Sequence, residues 1–236
     1  MPTHYQRVLV KISGELLKSQ DDPLSGERLR FVASQLSAVR GMGAQVAVVI
    51  GGGNIVRGAH AAEKNAIERV TADHMGMLST VINGLALMDT LEKMGTDTRV
   101  MSAIPMDRLA EPYILRRALR HLEKNRIVIF VAGTGNPYFS TDTAAALRGN
   151  EIGAQILLKA TKVGGIYSAD PAKDPSARKF EKISFTECME KRLGVMDATA
   201  FALCRENSMP VLVFNLLEEN ALARAVSGEA IGTLVS

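Results

Sequence analysis

The chain has 236 residues, enough to bury one sizeable core, and its 47% hydrophobic content is ordinary for a globular protein. Lys and Arg total 28 against 25 for Asp and Glu, so the net charge is only +3; a surface that tracks a nucleic acid backbone needs clustered excess cation, and nucleic acid is excluded as the main partner. The two cysteines, Cys188 and Cys204, lack paired spacing, which argues against a disulfide framework or a zinc site and for a reducing, cytoplasmic setting.

Arg7 to Ile12 reads as a first strand, with Lys11 near its end and Ser13-Gly14-Glu15 after it. A lysine at the end of a buried strand points into a cleft; on an edge strand it is merely solvated, and the residues leave both open. Gly14 permits close backbone approach, and Ser13 offers a hydroxyl beside it. A polar loop from Leu16 to Gly26 leads to helical spacing from Glu27 through Leu29, Val32, Leu36 and Val39, ended by Gly41 and Gly43. Ala44 to Ile50 is a second apolar run, and a crossover of this length favours parallel pairing with the first.

That run ends in Gly51-Gly52-Gly53-Asn54, with Arg57 a short turn further on, where an arginine either grips a phosphate or makes a surface ion pair. A long helix is predicted from Asp73 to about Met94 on the spacing of Leu78, Val81, Leu85, Met88 and Leu91. Asp73 stands at its expected cap, yet its carboxylate also suits a pair of sugar hydroxyls. The methionines Met75, Met77, Met88 and Met94 read as adaptable core or as a subunit contact.

Thr98 to Ala103 reads as a strand and Glu111 to Leu122 as a helix with Arg116, Arg117 and Arg120 on a solvated face. Arg126 to Val131 is a buried strand feeding the stretch AGTGNPYFSTD, Ala132 to Asp142. Gly133 and Gly135, then Ser140, Thr141 and Asp142 as candidate caps, place backbone N–H groups at the start of a helix running from Thr143 to Leu147, where an anion is well accommodated. Alone this is an ordinary strand-to-helix loop as readily as a phosphate site; a second strand-end glycine loop at Gly51 to Gly53 tips the reading toward two phosphate-bearing groups.

Gln155 to Lys159 is a short strand, and Val163 and Ile166-Tyr167 about Gly164-Gly165 predict a hairpin, followed by a loop through Asp170-Pro171. Thr161, Tyr167 and Asp170 suit a purine and ribose, or are turn caps of an edge hairpin. Ser184 and Glu187 have capping-box spacing, Asp197 precedes a helix at Ala198 to Arg205, Pro210 to Phe214 is a late strand, Glu218 to Val226 a helix, and Gly232 to Val235 a closing strand. Alternation of this kind predicts an α/β fold, a three-layer α/β/α sandwich on a mostly parallel central sheet, in one domain with two lobes. No stretch is apolar enough to span a bilayer, and the N-terminal run, broken by Lys11, lacks a cleavage pattern.

Common signatures are absent. No Gly-Lys-Ser/Thr closes a P-loop, the glycines at 51 to 53 lack the dinucleotide spacing, there is no Gly-x-Ser-x-Gly, and His4, His60, His74 and His121 show neither metal nor triad spacing. What remains is two glycine loops, a lysine and an arginine near them, and carboxylates at helix starts. Phosphoryl transfer asks for little more: donor and acceptor in line, and cationic charge on the moving group.

The segments VLVKISGE, VVIGGGNIVRG, DHMGMLSTVINGLAL, VMSAIP, AGTGNPYFSTD, LKATKVGGIYSADPAKDP and VMDATAF resemble the bacterial uridylate kinases of the amino acid kinase family, over about Arg7 to Leu234. KxSGE and GGGN alone point to the wider family; DHMGM and TGNPYFSTD are more specific. The resemblance implies transfer from MgATP to UMP in pyrimidine nucleotide biosynthesis, on an eight-strand-class sheet, in a cytoplasmic homohexamer, with Mg²⁺ carried by ATP phosphates rather than by a protein site. It implies ATP binding by Lys11, Ile12, Ser13, Gly14, Gly53, Arg57, Thr161, Tyr167 and Asp170, and UMP binding by Gly52, Asp73, Thr134, Gly135, Asn136, Pro137, Tyr138, Phe139, Ser140 and Thr141. Lys11 and Arg57 then neutralise charge on the transferred group, and Asp142 and Asp197 orient Lys11. The lobes fall at roughly 1–150 for UMP and 151–236 for ATP.

The resemblance also implies allosteric control, by a GTP activator and a UTP inhibitor. Enterobacterial-like members carry Arg and His in the long helix where this chain has Met88 and Glu92, so GTP control here is lost or uses other contacts; Arg99 and Arg126 are retained. Two rival readings share the features: an amino acid kinase acting on a carboxylate such as glutamate or aspartate, and a non-catalytic protein that senses UMP.

Overall fold

The computed structural model describes residues 3–56, 67–171, 173–174, 176–191 and 193–236. Nine strands form one sheet: β1 (Arg7–Ile12), β2 (Gln45–Ile50), β3 (Thr98–Ser102), β4 (Glu111–Pro112), β5 (Ile127–Val131), β6 (Ile156–Thr161), β7 (Lys182–Ile183), β8 (Val211–Asn215) and β9 (Thr233–Val235). Their spatial order is β4-β3-β5-β2-β1-β6-β8-β9-β7, and every pairing is parallel except β8 with β9. The mostly parallel sheet is as expected, with nine strands in place of an eight-strand class; β4 and β7 are two-residue edges.

The helices are α1 (Gly26–Gly41), α2 (Arg69–Lys93), α3 (Leu115–Glu123), α4 (Thr141–Glu151), α5 (Phe185–Glu190), α6 (Ala198–Glu206) and α7 (Ala221–Val226). Central strands are apolar on both faces because both are covered. Val8, Val10 and Ile12 of β1 pack with Leu36 of α1, Leu87 of α2 and Leu222 of α7. The alternate residue Leu9 packs on the other side with Ala118 of α3, Ala145 of α4 and Phe201 of α6. These two cores are the two interlayer spaces of an α/β/α sandwich. The same period of two sends Lys11 to the face of Leu9 and Lys159 to the face of Leu157, under α4.

β1 is central, bonded to both β2 and β6, so Lys11 is not an edge-strand lysine. Three local readings are corrected. Asp73 does not cap the long helix: α2 starts four residues earlier, at Arg69, with Glu68 at the cap. Glu111 and Pro112 pair with β3 instead of opening a helix, which begins only at Leu115, beyond the proline whose missing N–H and restricted neighbour disfavour helix. Gly164-Gly165 does not turn a hairpin; Tyr167 bridges antiparallel to Lys179, closing a longer loop. The predicted caps Ser140, Asp197 and the Ser184–Glu187 box are all formed. No helix among the described residues is long and apolar enough to cross a membrane.

Candidate active site

Lys11 and Lys159 are register partners on β1 and β6. Both reach the first turn of α4, where Lys11 Nζ lies 2.8 Å from Asp142 Oδ1 and Lys159 Nζ lies 2.6 Å from Asp142 Oδ2. Lys159 also donates to the Val195 carbonyl. Burial pushes the Asp142 carboxyl up, but the charges and hydrogen bonds of the two ammonium groups outweigh it and hold it below its ordinary value. Burial, and then the charge of Lys11, pushes Lys159 down despite its bond to Asp142. Two cations thus meet on one anion at the strand ends, with the Asp197 carboxylate also acting on Lys159.

Asp197 does not orient Lys11 directly. Its carboxylate accepts from the Ala200 N–H at 2.9 Å, as the cap of α6, and from Thr143 Oγ1 at 2.9 Å and from the Ser140 hydroxyl. Ser140 Oγ in turn accepts from the N–H groups of Asp142 and Thr143, at 3.0 and 3.1 Å. Asp197 therefore fixes the start of α4, and through it Asp142.

The two glycine loops leave neighbouring strands, β2 and β5, and one helix holds both. Asn83 of α2, fully buried, donates from Nδ2 to the Gly51 carbonyl at 2.7 Å and exchanges bonds with Asn54, which reaches the Pro23 carbonyl at 2.7 Å. One turn away, Thr80 Oγ1 accepts from the Ala132 N–H at 2.7 Å. Gly14 is needed for the same assembly: a β-carbon there would meet the Asn54 side chain and the Gly51 carbonyl, so its role is loop-against-loop packing. Gly52 lies against α2, where a β-carbon would sit 2.6 Å from Ser79 Cβ and 2.7 Å from the Gly76 carbonyl.

Between the loops is a cavity of about 310 Å³, lined from one side by Gly52, Gly53 and Val56, from α2 by Arg69, Asp73 and Thr80, and from the other loop by Gly133 and Tyr138 to Thr141. Of the residues expected around the acceptor, Gly52, Asp73, Tyr138, Phe139, Ser140 and Thr141 line it, and so does Gly53, which was expected on the ATP phosphates. Thr134, Gly135, Asn136 and Pro137 belong to the same loop but do not line that cavity; Gly135 turns it at φ +83°, and Thr134 Oγ1 accepts from the Asn136 N–H at 3.2 Å. Arg69 and Thr80 were not singled out from the sequence, and neither was Lys159.

On the other side of Lys11, Ile12 and Ser13 end β1, Gly51 N–H binds the Ile12 carbonyl at 2.9 Å, and a 3₁₀ turn at Gly14–Leu16 follows Ser13. Thr161 ends β6 on the same sheet edge, its hydroxyl bonded to the carbonyls of Val163 and Phe214 at 2.8 and 3.1 Å. Tyr167 and the exposed Asp170 lie in the loop beyond, apart from the cavity between the glycine loops. Arg57 lies outside the described residues. Among the described residues no three acidic, histidine or cysteine side chains cluster, and Asp142 and Asp197 already serve lysines, hydroxyls and an N–H group.

Fold and site define a parallel α/β protein with two glycine loops and two buried ammonium groups at the carboxyl ends of its strands, an arrangement chemically suited to phosphate groups. A model of the amino acid kinase family matches residues 6–215, and the chain belongs to that family. Among solved structures it is similar to a UMP kinase from Bacillus anthracis, at 38% identity and TM-score 0.95, covering 100% of this chain and 97% of that one. It is similar also to a UMP kinase from Ureaplasma parvum, at 40% identity and TM-score 0.92, covering 98% of each. A uridylate kinase from Archaeoglobus fulgidus follows at 27% identity and TM-score 0.76, covering 97% of this chain and 99% of that one.

Proposed function

We infer that this chain is a uridylate kinase, transferring the γ-phosphoryl group of MgATP to UMP to give ADP and UDP. The observation that carries the reading is the pair Lys11 and Lys159 on Asp142, set where α4 begins beside a cavity walled by both glycine loops. UMP occupies that cavity, its phosphate toward the N–H groups at Ser140 to Thr141; ATP lies along the β1 and β6 ends, its phosphates on Lys11, Ser13, Gly14 and Gly53 with Arg57, its base near Thr161, Tyr167 and Asp170. Lys11 and Lys159 spread positive charge over the transferred group. Asp142 orients them: both its oxygens are committed to ammonium groups, and an acceptor phosphate is already anionic, so a general base adds little. Mg²⁺ enters with ATP as part of the substrate.

The halves of the chain support the two-lobe division. Strands before residue 132 lie on one side of the β1–β6 seam and strands after residue 155 on the other, so 1–150 serves UMP and 151–236 serves ATP. Leu78 and Ile82, 53% and 48% exposed on the outer face of α2, support assembly of copies into the homohexamer. Glu92 holds Arg99 at 3.1 Å, which favours a chain without GTP activation; UTP inhibition belongs to the same proposal. Two free, buried cysteines fit the cytoplasm.

Coupled ADP release with UMP, CMP, dUMP, glutamate and aspartate as acceptors tests the reading. Turnover with UMP is expected. Turnover only with an acidic amino acid would move the chain to the carboxylate kinases, and UMP binding without ADP release would make it a sensor.

A further inference from the structure

Arg69 makes contacts that a solvated helix-start arginine does not need. Its Nε straddles the Asp73 carboxylate, 3.0 Å from Oδ1 and 2.9 Å from Oδ2, and its guanidinium lies 5.4 Å from the centre of the Tyr138 ring. From the second glycine loop the Tyr138 N–H donates to the same Asp73 Oδ2 at 2.8 Å. Tyr138 is held at φ +70°, a left-handed conformation that costs a residue with a β-carbon about 1 kcal/mol. That backbone conformation aims the amide at Asp73. The carboxylate is thus held by donors from two elements, the helix and the loop, with Arg69, Asp73 and Tyr138 all on the wall of the same cavity.

A carboxylate has about four acceptor directions, and these two donors leave some of them facing the cavity. A cis-diol, with two O–H donors side by side, uses a carboxylate whose plane is already set; a sugar with one hydroxyl uses it less. We propose that Arg69 is a positioning residue that acts through Asp73 to select a ribose over a deoxyribose acceptor. The proposal rests on the reading of the cavity as the UMP site and adds the residue that sets its sugar selectivity. Arg69 touches neither phosphate nor the reacting atoms in this role, so its removal affects acceptor binding and leaves turnover at saturation.

The test is steady-state kinetics of the full chain with UMP and dUMP, for wild type, Arg69→Gln, Asp73→Asn and the double variant. Wild type should favour UMP in kcat/KM by at least about tenfold, since a site built to bind a hydroxyl rejects the analogue lacking it. Arg69→Gln should lower kcat/KM for UMP about tenfold, through KM, and for dUMP by less than about twofold. In the Asp73→Asn background it should add nothing further. Equal losses for both acceptors would mean that Arg69 binds the phosphate directly, and no loss for either would leave a surface ion pair; each overturns the proposal. If wild type fails to turn over UMP at all, it is the acceptor reading that falls.

Discussion

Lys11 and Lys159 face one another across the β1–β6 seam, one residue from each half of the chain, and share a single carboxylate between them. Cationic charge at the seam is therefore assembled from both halves of the chain. Two ammonium groups this close repel, and Asp142 is what makes the pair tolerable.

Removing either cation should cripple transfer without unfolding the chain. Lys11→Ala and Lys159→Ala are each expected to lower kcat by about 10²- to 10³-fold, the size seen when one preorganised charge-stabilising donor is lost. Far-UV circular dichroism and Tm verify the fold, and coupled ADP release reads the rate. Full turnover by either variant would take that lysine out of the mechanism.

Asp142→Asn removes the carboxylate that both buried ammonium groups contact, leaving only the Asp197 charge to act on Lys159. A loss of about 3–5 kcal/mol is expected, as for a broken buried pair, read by urea unfolding. Raising the pH should recover part of it as Lys159 gives up its proton, and a variant as stable as wild type would show that the triad is not electrostatically coupled.

The pH dependence separates activity from stability. Lys159 in the folded chain titrates below its ordinary 10.5, so between the two values the folded state holds fewer protons than the unfolded one, and this group's contribution to stability grows as pH rises. Activity needs the charged form, so kcat should fall on the alkaline side below pH 10.5 while this stabilising contribution increases. Asp142, held below 3.8, contributes stability above that value and loses it as pH falls through its folded value. Lys159→Arg should move the alkaline limb of kcat upward; an unmoved limb would assign it to another group.

The loops came out of the sequence more readily than the charges beneath them. Interior parallel strands are continuous apolar runs, so Val46 to Ile50 and Ile127 to Val131 announce themselves, and glycines at their ends mark the turns. Lys159 carries no such mark. It matters because it stands in register with Lys11, and strand register is a long-range fact that no local pattern encodes. Asp73 reads as a cap because an aspartate before an apolar period looks the same whether it begins a helix or lies one turn in; the extra turn, Arg69-Val70-Thr71-Ala72, is too short to show a period of its own. Pro112 illustrates the converse, a breaker whose meaning was overridden by the apolar spacing after it.

Gly52→Ala should narrow the cavity. The new methyl group would sit 2.6 Å from Ser79 Cβ and 2.7 Å from the Gly76 carbonyl, so loop and helix must part, at a cost of about 1–3 kcal/mol. KM for UMP should rise more than KM for ATP, and a normal KM for UMP would show that the loop moves without consequence.

The thiols should be silent until the chain opens. Burial pushes Cys188 up to about 11 and Cys204 up to about 12, the latter helped by Asp142 and Asp197. At neutral pH a thiol-specific reagent should label neither in the folded protein and both after denaturation; labelling of folded Cys204 would indicate opening beside the triad.

Thr80 and Asn83 lie one turn apart on α2, and each anchors a different glycine loop. The consequence is mechanical: besides its own tethers to other elements, each loop hangs from the same rod. Leu78 and Ile82 occupy the rod's outward side within the same turn, so whatever leans on that side tilts both loops in unison. Evolution can retune this machine by swapping side chains inside each loop, but any drift in the rod itself is felt by the two together.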